Sequence, residues 1–265
     1  MRSFLLLLLM ALSVTSCRQV KQEAQNLHPL FNISEEELME SISDLPPSIR
    51  DKIAAKAQVF LDLIVQLLES PEDLLILVDK EHTLEKQYVP PDLINLEGYS
   101  FPLAGNKLEL RRMIIPDLLA MVESGREQGI ELVISSTYRS YSRQELIYDY
   151  NVRSLGREIA DRESAKPGHS QHQLGTTIDF GSIDHSFVSH PAGIWLAEHS
   201  WQFGFSLSYP PESEKITGYR YEPWHYRYIG RHGARITRDF FLNQQQNFLE
   251  FWEQTSSFFR KKRIR

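Results

Sequence analysis

A single cysteine, Cys17, stands in 265 residues. The chain therefore cannot close a disulfide on itself, and its stability has to come from a buried core. Basic residues are in deficit, 29 Lys and Arg against 35 Asp and Glu, for a net charge of −6. That balance excludes a nucleic-acid binder held by a general positive field. Internal repeats, low-complexity tracts, a βαβ rhythm and a glycine-rich phosphate loop are all missing, which excludes solenoids and dinucleotide or P-loop folds. Long apolar runs are scarce too. The one at Phe4 to Leu12 is too short to serve as a stop-transfer span.

That short run is better read as an export signal. Arg2 supplies a positive n-region, and Val14-Thr15-Ser16 leads into Cys17. The arrangement resembles the bacterial lipobox, where cleavage precedes a cysteine that is then lipidated. Residues 1–16 are expected to be a lipoprotein signal peptide. Cys17 is expected to anchor the protein to a membrane in the cell envelope, outside the cytoplasm. The alternative is an ordinary secretory signal with an incidental cysteine. At the other end, Arg260-Lys261-Lys262-Arg263-Ile264-Arg265 opposes the overall charge. It reads either as a solvated terminus or as a contact for anionic lipid or wall polymer.

Between the ends, helical and β-type patterns alternate irregularly. Gln19 to Phe31 is a polar tether. Ser34 and Glu37 form a capping box that opens a helix running to Pro46-Pro47. A second helix is expected from about Ser48 to Glu69, with Ile53, Ala57, Phe60, Leu61, Ile64, Leu67 and Leu68 at helical spacing. Leu74 to Val78 suits a buried strand. Leu108 to Arg126 reads as a helix kinked at Pro116. Glu131 to Thr137 is β-rich, and a helix capped by Ser142 runs to Leu155. Thr176 to Phe180 and Tyr219 to Tyr228 read as strands. Helices are expected over Pro191 to Phe203 and Thr237 to Phe259. The fold class is α+β: a small, mostly antiparallel sheet with flanking helices, plus N-terminal and C-terminal helices. A monomer is expected.

Two short stretches carry the chemistry. His172 and Asp179 lie in Ser170-Gln171-His172-Gln173-Leu174-Gly175-Thr176-Thr177-Ile178-Asp179, and His225 lies in Tyr221-Glu222-Pro223-Trp224-His225. Two imidazoles and one carboxylate suit Zn2+, leaving a fourth position for water, and Glu222 is a spare acid able to take that water's proton. Residues seven apart on a plain strand face opposite ways, so His172 and Asp179 can meet only if Gly175 allows a bend. Pro223 would bend the chain so that Glu222 reaches over the metal, with Trp224 and Tyr226 turned into the core. Taken singly, Asp179 could be a turn former and Glu222 to His225 an aromatic corner.

Together the stretches resemble the signature of the VanY-type zinc D-alanyl-D-alanine carboxypeptidases, a group that shares its fold with hedgehog domains. That pattern is Ser-x-His-x-x-Gly-x-Ala-x-Asp followed by Glu-x-Trp-His. Thr177 stands where alanine is usual. Val78 to His82 and Tyr88 to Leu93 resemble the opening segment, and Ser136-Thr137-Tyr138-Arg139-Ser140 with Gln144 resembles the substrate-binding segment, for coverage of about residues 74–232. The resemblance implies a fold of the hedgehog/DD-peptidase kind and peptidoglycan stem peptides as substrates. It implies His172, Asp179 and His225 as Zn2+ ligands and Glu222 as the catalytic base. Arg139 would hold a terminal carboxylate, and Gln144 and Ser170 would bind the substrate backbone. His169 and His82, His185, His190, His199 and His232 are expected to be non-ligands. The chain is accordingly divided into residues 1–16 (signal), 17–73 (tether and N-terminal helices), 74–234 (zinc carboxypeptidase domain) and 235–265 (C-terminal helix and basic tail). Release of the terminal D-alanine is the leading expectation. L,D-carboxypeptidase or endopeptidase action and a non-catalytic wall-binding lipoprotein are the alternatives.

Overall fold

The computed structural model describes residues 26–264. The signal segment and Cys17 lie outside the described residues. Ser34 caps α1 (Glu35–Ser41): its side chain accepts from the Glu37 amide while Glu37 accepts from the Ser34 amide. The long second helix expected over 48–69 is two helices, α2 (Pro47–Ala55) and α3 (Ala57–Leu67). They part at Lys56, whose φ of −139° and ψ of 42° are not helical. The predicted strand at Leu74 to Val78 does not form. Glu72–Leu75 is a 3-10 turn, and the carbonyls of Leu74 and Ile76 accept hydrogen bonds from Arg227 instead of a neighbouring strand. A short aliphatic run is buried in either conformation, so its pattern could not tell the two apart.

A two-stranded antiparallel ribbon follows, β1 (Leu93–Asn95) with β2 (Glu109–Arg111). The helix expected from Leu108 begins only at α4 (Ile115–Glu127), where Pro116 occupies the first turn rather than kinking the middle. Proline costs nothing there, because the first-turn amides have no intrahelical acceptor. Next come β3 (Ile134–Ser136), α5 (Tyr141–Leu155) and α6 (Arg157–Glu163). The cap of α5 is Ser140, which accepts from the Arg143 amide, not Ser142. The remaining elements are β4 (Thr177–Phe180), α7 (Pro191–His199), β5 (Phe205–Leu207), α8 (Glu214–Thr217), β6 (His225–Tyr228), α9 (Gly230–Asp239) and α10 (Gln245–Lys262). Only the last four residues of the strand expected over Tyr219 to Tyr228 are extended. The C-terminal helix is likewise two helices, separated by Leu242 and Asn243 in left-handed conformation.

The central sheet has the order β3-β4-β6-β5, with every pair antiparallel. Alternation along its strands sorts the side chains. Ile178, Phe180, Tyr226 and Phe205 are buried in the apolar core. Thr177 and Asp179 alternate with them, as do His225 and Arg227, so these four share the opposite, polar face. Asp179 is the direct cross-strand partner of His225.

The N-terminal helices share the same core. Phe60 on α3 is fully buried, with ring centroids 5.2 Å from Phe240 and 6.0 Å from Phe251. The described part of the basic tail is tied down: α10 continues to Lys262, and Lys262 pairs with Glu37, Arg263 with Glu69 and Arg260 with Glu72. Among the described residues no helix is long and apolar enough to cross a membrane.

Candidate metal centre

His172 arrives on a 3-10 turn, Gln171–Leu174, whose cap is Ser170; Ser170 Oγ accepts from the His172 amide. Gly175 ends the turn in left-handed conformation, φ 67° and ψ 14°. The positive φ favours glycine, and a Cβ there would stand 2.8 Å from the end of the Leu93 side chain and 3.2 Å from Pro90, which would have to give way. This reversal turns the chain into β4 and brings His172 to Asp179. Thr177, the departure from the alanine pattern, is fully buried, but its hydroxyl donates to the Gln171 carbonyl at 3.1 Å. A buried hydroxyl with a partner carries little penalty.

On the other side, Pro223-Trp224 forms a turn in which the His225 amide donates to the Glu222 carbonyl, and the Glu222 amide donates to the Tyr209 carbonyl. The chain enters β6 only at His225. Tyr226 faces the core as expected, and Trp224, partly buried, packs against the core while also lining the cleft.

His172 Nε2 lies 3.2 Å from Asp179 Oδ2, and His225 Nδ1 lies 3.1 Å from Asp179 Oδ1. Among the described residues these three form the one group of metal-binding type, with donor atoms all within 4.8 Å of one another. Glu222 Oε2 is 3.4 Å from His225 Nδ1. Burial drives His172 down to about 4 despite the opposing pull of Asp179, so its imidazole is neutral at pH 7. Burial alone would raise Asp179, but attraction to protonated His172 and His225 outweighs it and lowers the group; with His172 neutral, that positive charge has to come from a bound cation. Burial, reinforced by Asp179, pushes Glu222 well above the usual carboxyl range against Arg139 and Lys80.

These donors fit a divalent cation. The Thr137 carbonyl lies 2.7 Å from His172 Nδ1, so that nitrogen carries the hydrogen and Nε2 keeps a lone pair toward Asp179. Asp179 Oδ1 is buried and has no hydrogen-bond partner. Lone pairs converging on one buried point repel unless a positive charge sits among them. Two imidazoles and a carboxylate are a zinc donor set with one position left open.

Arg139 lies beside the cluster, its Nη2 3.8 Å from Asp179 Oδ2. Nη1 donates to Gln144 Oε1 at 2.8 Å and Nη2 to Ser136 Oγ at 3.0 Å. Gln144 does not line the cleft, contrary to its expected contact with substrate. Its oxygen holds Arg139 and its nitrogen donates to the Ala165 carbonyl at 2.6 Å, so both ends of the amide are taken. Ser170 does line the cleft. His82 and His169 stay away from the centre, bound to the Asp79 side chain and carbonyl respectively.

The cleft, of about 200 Å³, is also lined by Tyr209, Tyr219 and Trp224. It adjoins a groove of about 290 Å³ that shares Glu222 and Trp224 but not Arg139. Sequence reasoning passed over Tyr209, whose ring packs at a tilt against His225 and Tyr219 with centroids 4.8 and 4.7 Å away. Its neighbours Pro210-Pro211 mark a loop, but no spacing ties that loop to the ligand stretches.

Comparison with known proteins gives one answer. The family model VanY, D-alanyl-D-alanine carboxypeptidase, matches residues 107–231. YodJ of Bacillus subtilis (strain 168), assigned as a carboxypeptidase, is 34% identical over 191 residues, covering 69% of this chain and 70% of its own. The LdcB LD-carboxypeptidase structure is similar at a TM-score of 0.62 and 31% identity, over 70% of this chain and 88% of that one. A mutant of the vancomycin-resistance D,D-pentapeptidase VanY, in complex with Zn(II), matches at a TM-score of 0.58 and 29% identity, over 67% and 99%.

Proposed function

Since this chain belongs to the VanY D-alanyl-D-alanine carboxypeptidase family, we propose that it is a zinc-dependent D,D-carboxypeptidase that removes the terminal D-alanine of peptidoglycan stem peptides. The observation that carries this reading is the convergence of His172, Asp179 and His225 beside a partly buried acid, Glu222, and a cleft-facing arginine. A zinc ion held by His172, Asp179 and His225 would supply Lewis acidity toward water and a carbonyl.

The chain's own groups do the rest. The Arg139 guanidinium, fixed from behind by Gln144 and Ser136, offers a planar cation to the terminal carboxylate. That contact sets which peptide bond reaches Glu222. Glu222 takes the proton of the attacking water and passes it to the leaving amine nitrogen, a role its place 3.4 Å from His225 Nδ1 allows. Tyr209, Tyr219 and Trp224 wall the cleft with aromatic surface. The adjoining groove on the side without Arg139 gives room for the stem that precedes the scissile bond. A wall-binding protein without catalysis would have no use for Glu222.

Mass spectrometry of muropeptides incubated with the protein tests the reading. Loss of one alanine from pentapeptide stems is the expected result, and Glu222→Ala is expected to keep zinc while losing at least about a hundredfold in rate. Full activity in that variant would remove Glu222 from the mechanism. The similarity to the LdcB LD-carboxypeptidase favours a second reading, cleavage after an L-residue. Shortening of tetrapeptide stems with pentapeptides left intact would establish it.

The protein is further proposed to be a monomeric envelope lipoprotein anchored through Cys17. The support is the sequence Val14-Thr15-Ser16-Cys17 after a short apolar run. A Cys17→Ser variant released from the membrane fraction supports the anchor, and one that still sediments with membranes argues against it.

A further inference from the structure

His225 can bind a metal through Nδ1 only if its Nε2 carries the hydrogen. What fixes that tautomer lies outside the ligand set. Nε2 faces Gln171 Oε1 at 3.3 Å. An amide is ambiguous, since a flip would present its NH2 group instead and reverse the tautomer. The contacts beyond Gln171 remove the ambiguity. Gln171 Nε2 donates to Gln245 Oε1 at 3.5 Å, and Gln245 Nε2 donates to the Ser206 carbonyl at 3.0 Å. Ser208 Oγ lies 2.7 Å from Gln171 Oε1 and 3.2 Å from Gln245 Oε1, and its one hydrogen is shared between these two acceptors. A backbone carbonyl can only accept. Ser206 therefore orients the Gln245 amide, Gln245 orients the Gln171 amide, and Gln171 presents oxygen to His225.

All the side chains in this path are buried: Gln245 is 1% exposed, Gln171 3%, Ser208 2% and His225 5%. With these groups shielded from bulk solvent, reversing the Gln171 amide would set its oxygen against Gln245 Oε1, and reversing the Gln245 amide would set its oxygen against the Ser206 carbonyl. Gln245 sits at the start of α10, beyond the 107–231 segment matched by the family model. Its neighbour Gln246 donates to Asp79 Oδ2 at 2.6 Å, which holds that first turn in place.

We propose that Gln171 and Gln245 are positioning residues that set the polarity of His225, making α10 a supporting part of the metal centre. Outer-sphere partners of this kind are worth roughly 10- to 100-fold in metal affinity. The inference rests on the zinc reading above, and the test separates the two.

Zinc affinity of the purified full chain is measured by competition with a chromogenic chelator, and the metal-free proteins are melted alongside. Gln171→Leu is expected to weaken zinc binding by about 10- to 100-fold. Gln171→Glu, which still offers His225 an acceptor but sets its second oxygen against Gln245 Oε1, is expected to recover part of the affinity lost in Gln171→Leu. Gln245→Leu is expected to weaken binding less, and to have no further effect in the Gln171→Leu background, because its influence passes through Gln171. A purely structural role would lower the melting temperature of the metal-free variants without this rescue or this non-additivity. Wild-type affinity in Gln171→Leu, failed rescue by Gln171→Glu, or additive losses in the double variant would each overturn the relay. If the wild-type chain itself binds no zinc, the metal reading fails, and the relay falls with it.

Discussion

Arg139 shows how much of a site residue's role depends on its neighbours. Its guanidinium is tied to Gln144 and Ser136 at 2.8 and 3.0 Å, which leaves it oriented beside the cluster before any substrate arrives. Burial lowers its pKa and the carboxyls of Asp179 and Glu222 oppose that, so the group stays charged. Lysine cannot span both partners or present two parallel donors. Arg139→Lys is expected to lower kcat/KM on a free-carboxylate peptide by about 10- to 100-fold, with most of the loss in KM. An unchanged KM would mean that the terminal carboxylate is held elsewhere. The residue types and spacing of His172, Asp179, Glu222 and His225 were legible in the chain because a zinc hydrolase needs few kinds of donor. The buried partners were not. Gln144, Gln171 and Tyr209 act through contacts between segments far apart in sequence, and nothing local distinguishes them.

Among the elements, the turn from His172 into β4 and the β4–β6 register build the centre. The register sets Asp179 opposite His225, so two of the three donors are fixed by backbone pairing. The third depends on Gly175. Gly175→Ala would strain a φ of 67° and press a methyl group within 2.8 Å of Leu93. A loss of about 1–3 kcal/mol in unfolding free energy is expected, with weaker zinc binding as His172 shifts. Chemical denaturation with a parallel zinc titration checks both, and an unaltered variant would show that the turn is not constrained. The need for a bend at Gly175 and at Pro223 was readable from strand periodicity. Element ends were not: Pro116 starts a helix it was expected to kink, and the run at Leu74 to Val78 supplies carbonyls to Arg227.

At the scale of the whole molecule, helices from both ends of the chain close over one core. Phe60 on α3 packs against Phe240, Phe251 and Phe259, which follow the sheet in sequence. Phe60→Ala is expected to cost about 3–5 kcal/mol in unfolding free energy, measured by urea denaturation. A cost below about 1 kcal/mol would mean that the two ends do not support each other. Alkaline pH offers a second global test. Burial pulls the Lys80 ammonium down to about 8, with Lys166 adding to this and Asp161 opposing it. A lysine in an unfolded chain titrates at about 10.4, as in a short peptide. Below pH 8 both states are protonated and the burial penalty is complete. Between about 8 and 10.4 the unfolded chain binds more protons, so this group's contribution to stability rises with pH. Tyr219 and Tyr228, raised chiefly by burial, act in the opposite sense once unfolded tyrosines ionise at about 10. In metal-free protein, the stability of wild type relative to Lys80→Met is expected to improve from about pH 8 to 10. A flat difference would show that Lys80 titrates normally.

The sequence by itself determined the chemistry. Donor types, their spacing, the spare acid and the two bends are local facts, and they were enough to reach the family, the fold class and the metal. The tertiary structure decided what holds those donors in place. The glutamine path to α10, the arginine held by Gln144 and the joining of both chain ends in one core all depend on contacts between separate segments of the chain. Contacts of that kind leave no periodic or motif trace along the chain, because packing in three dimensions selects them.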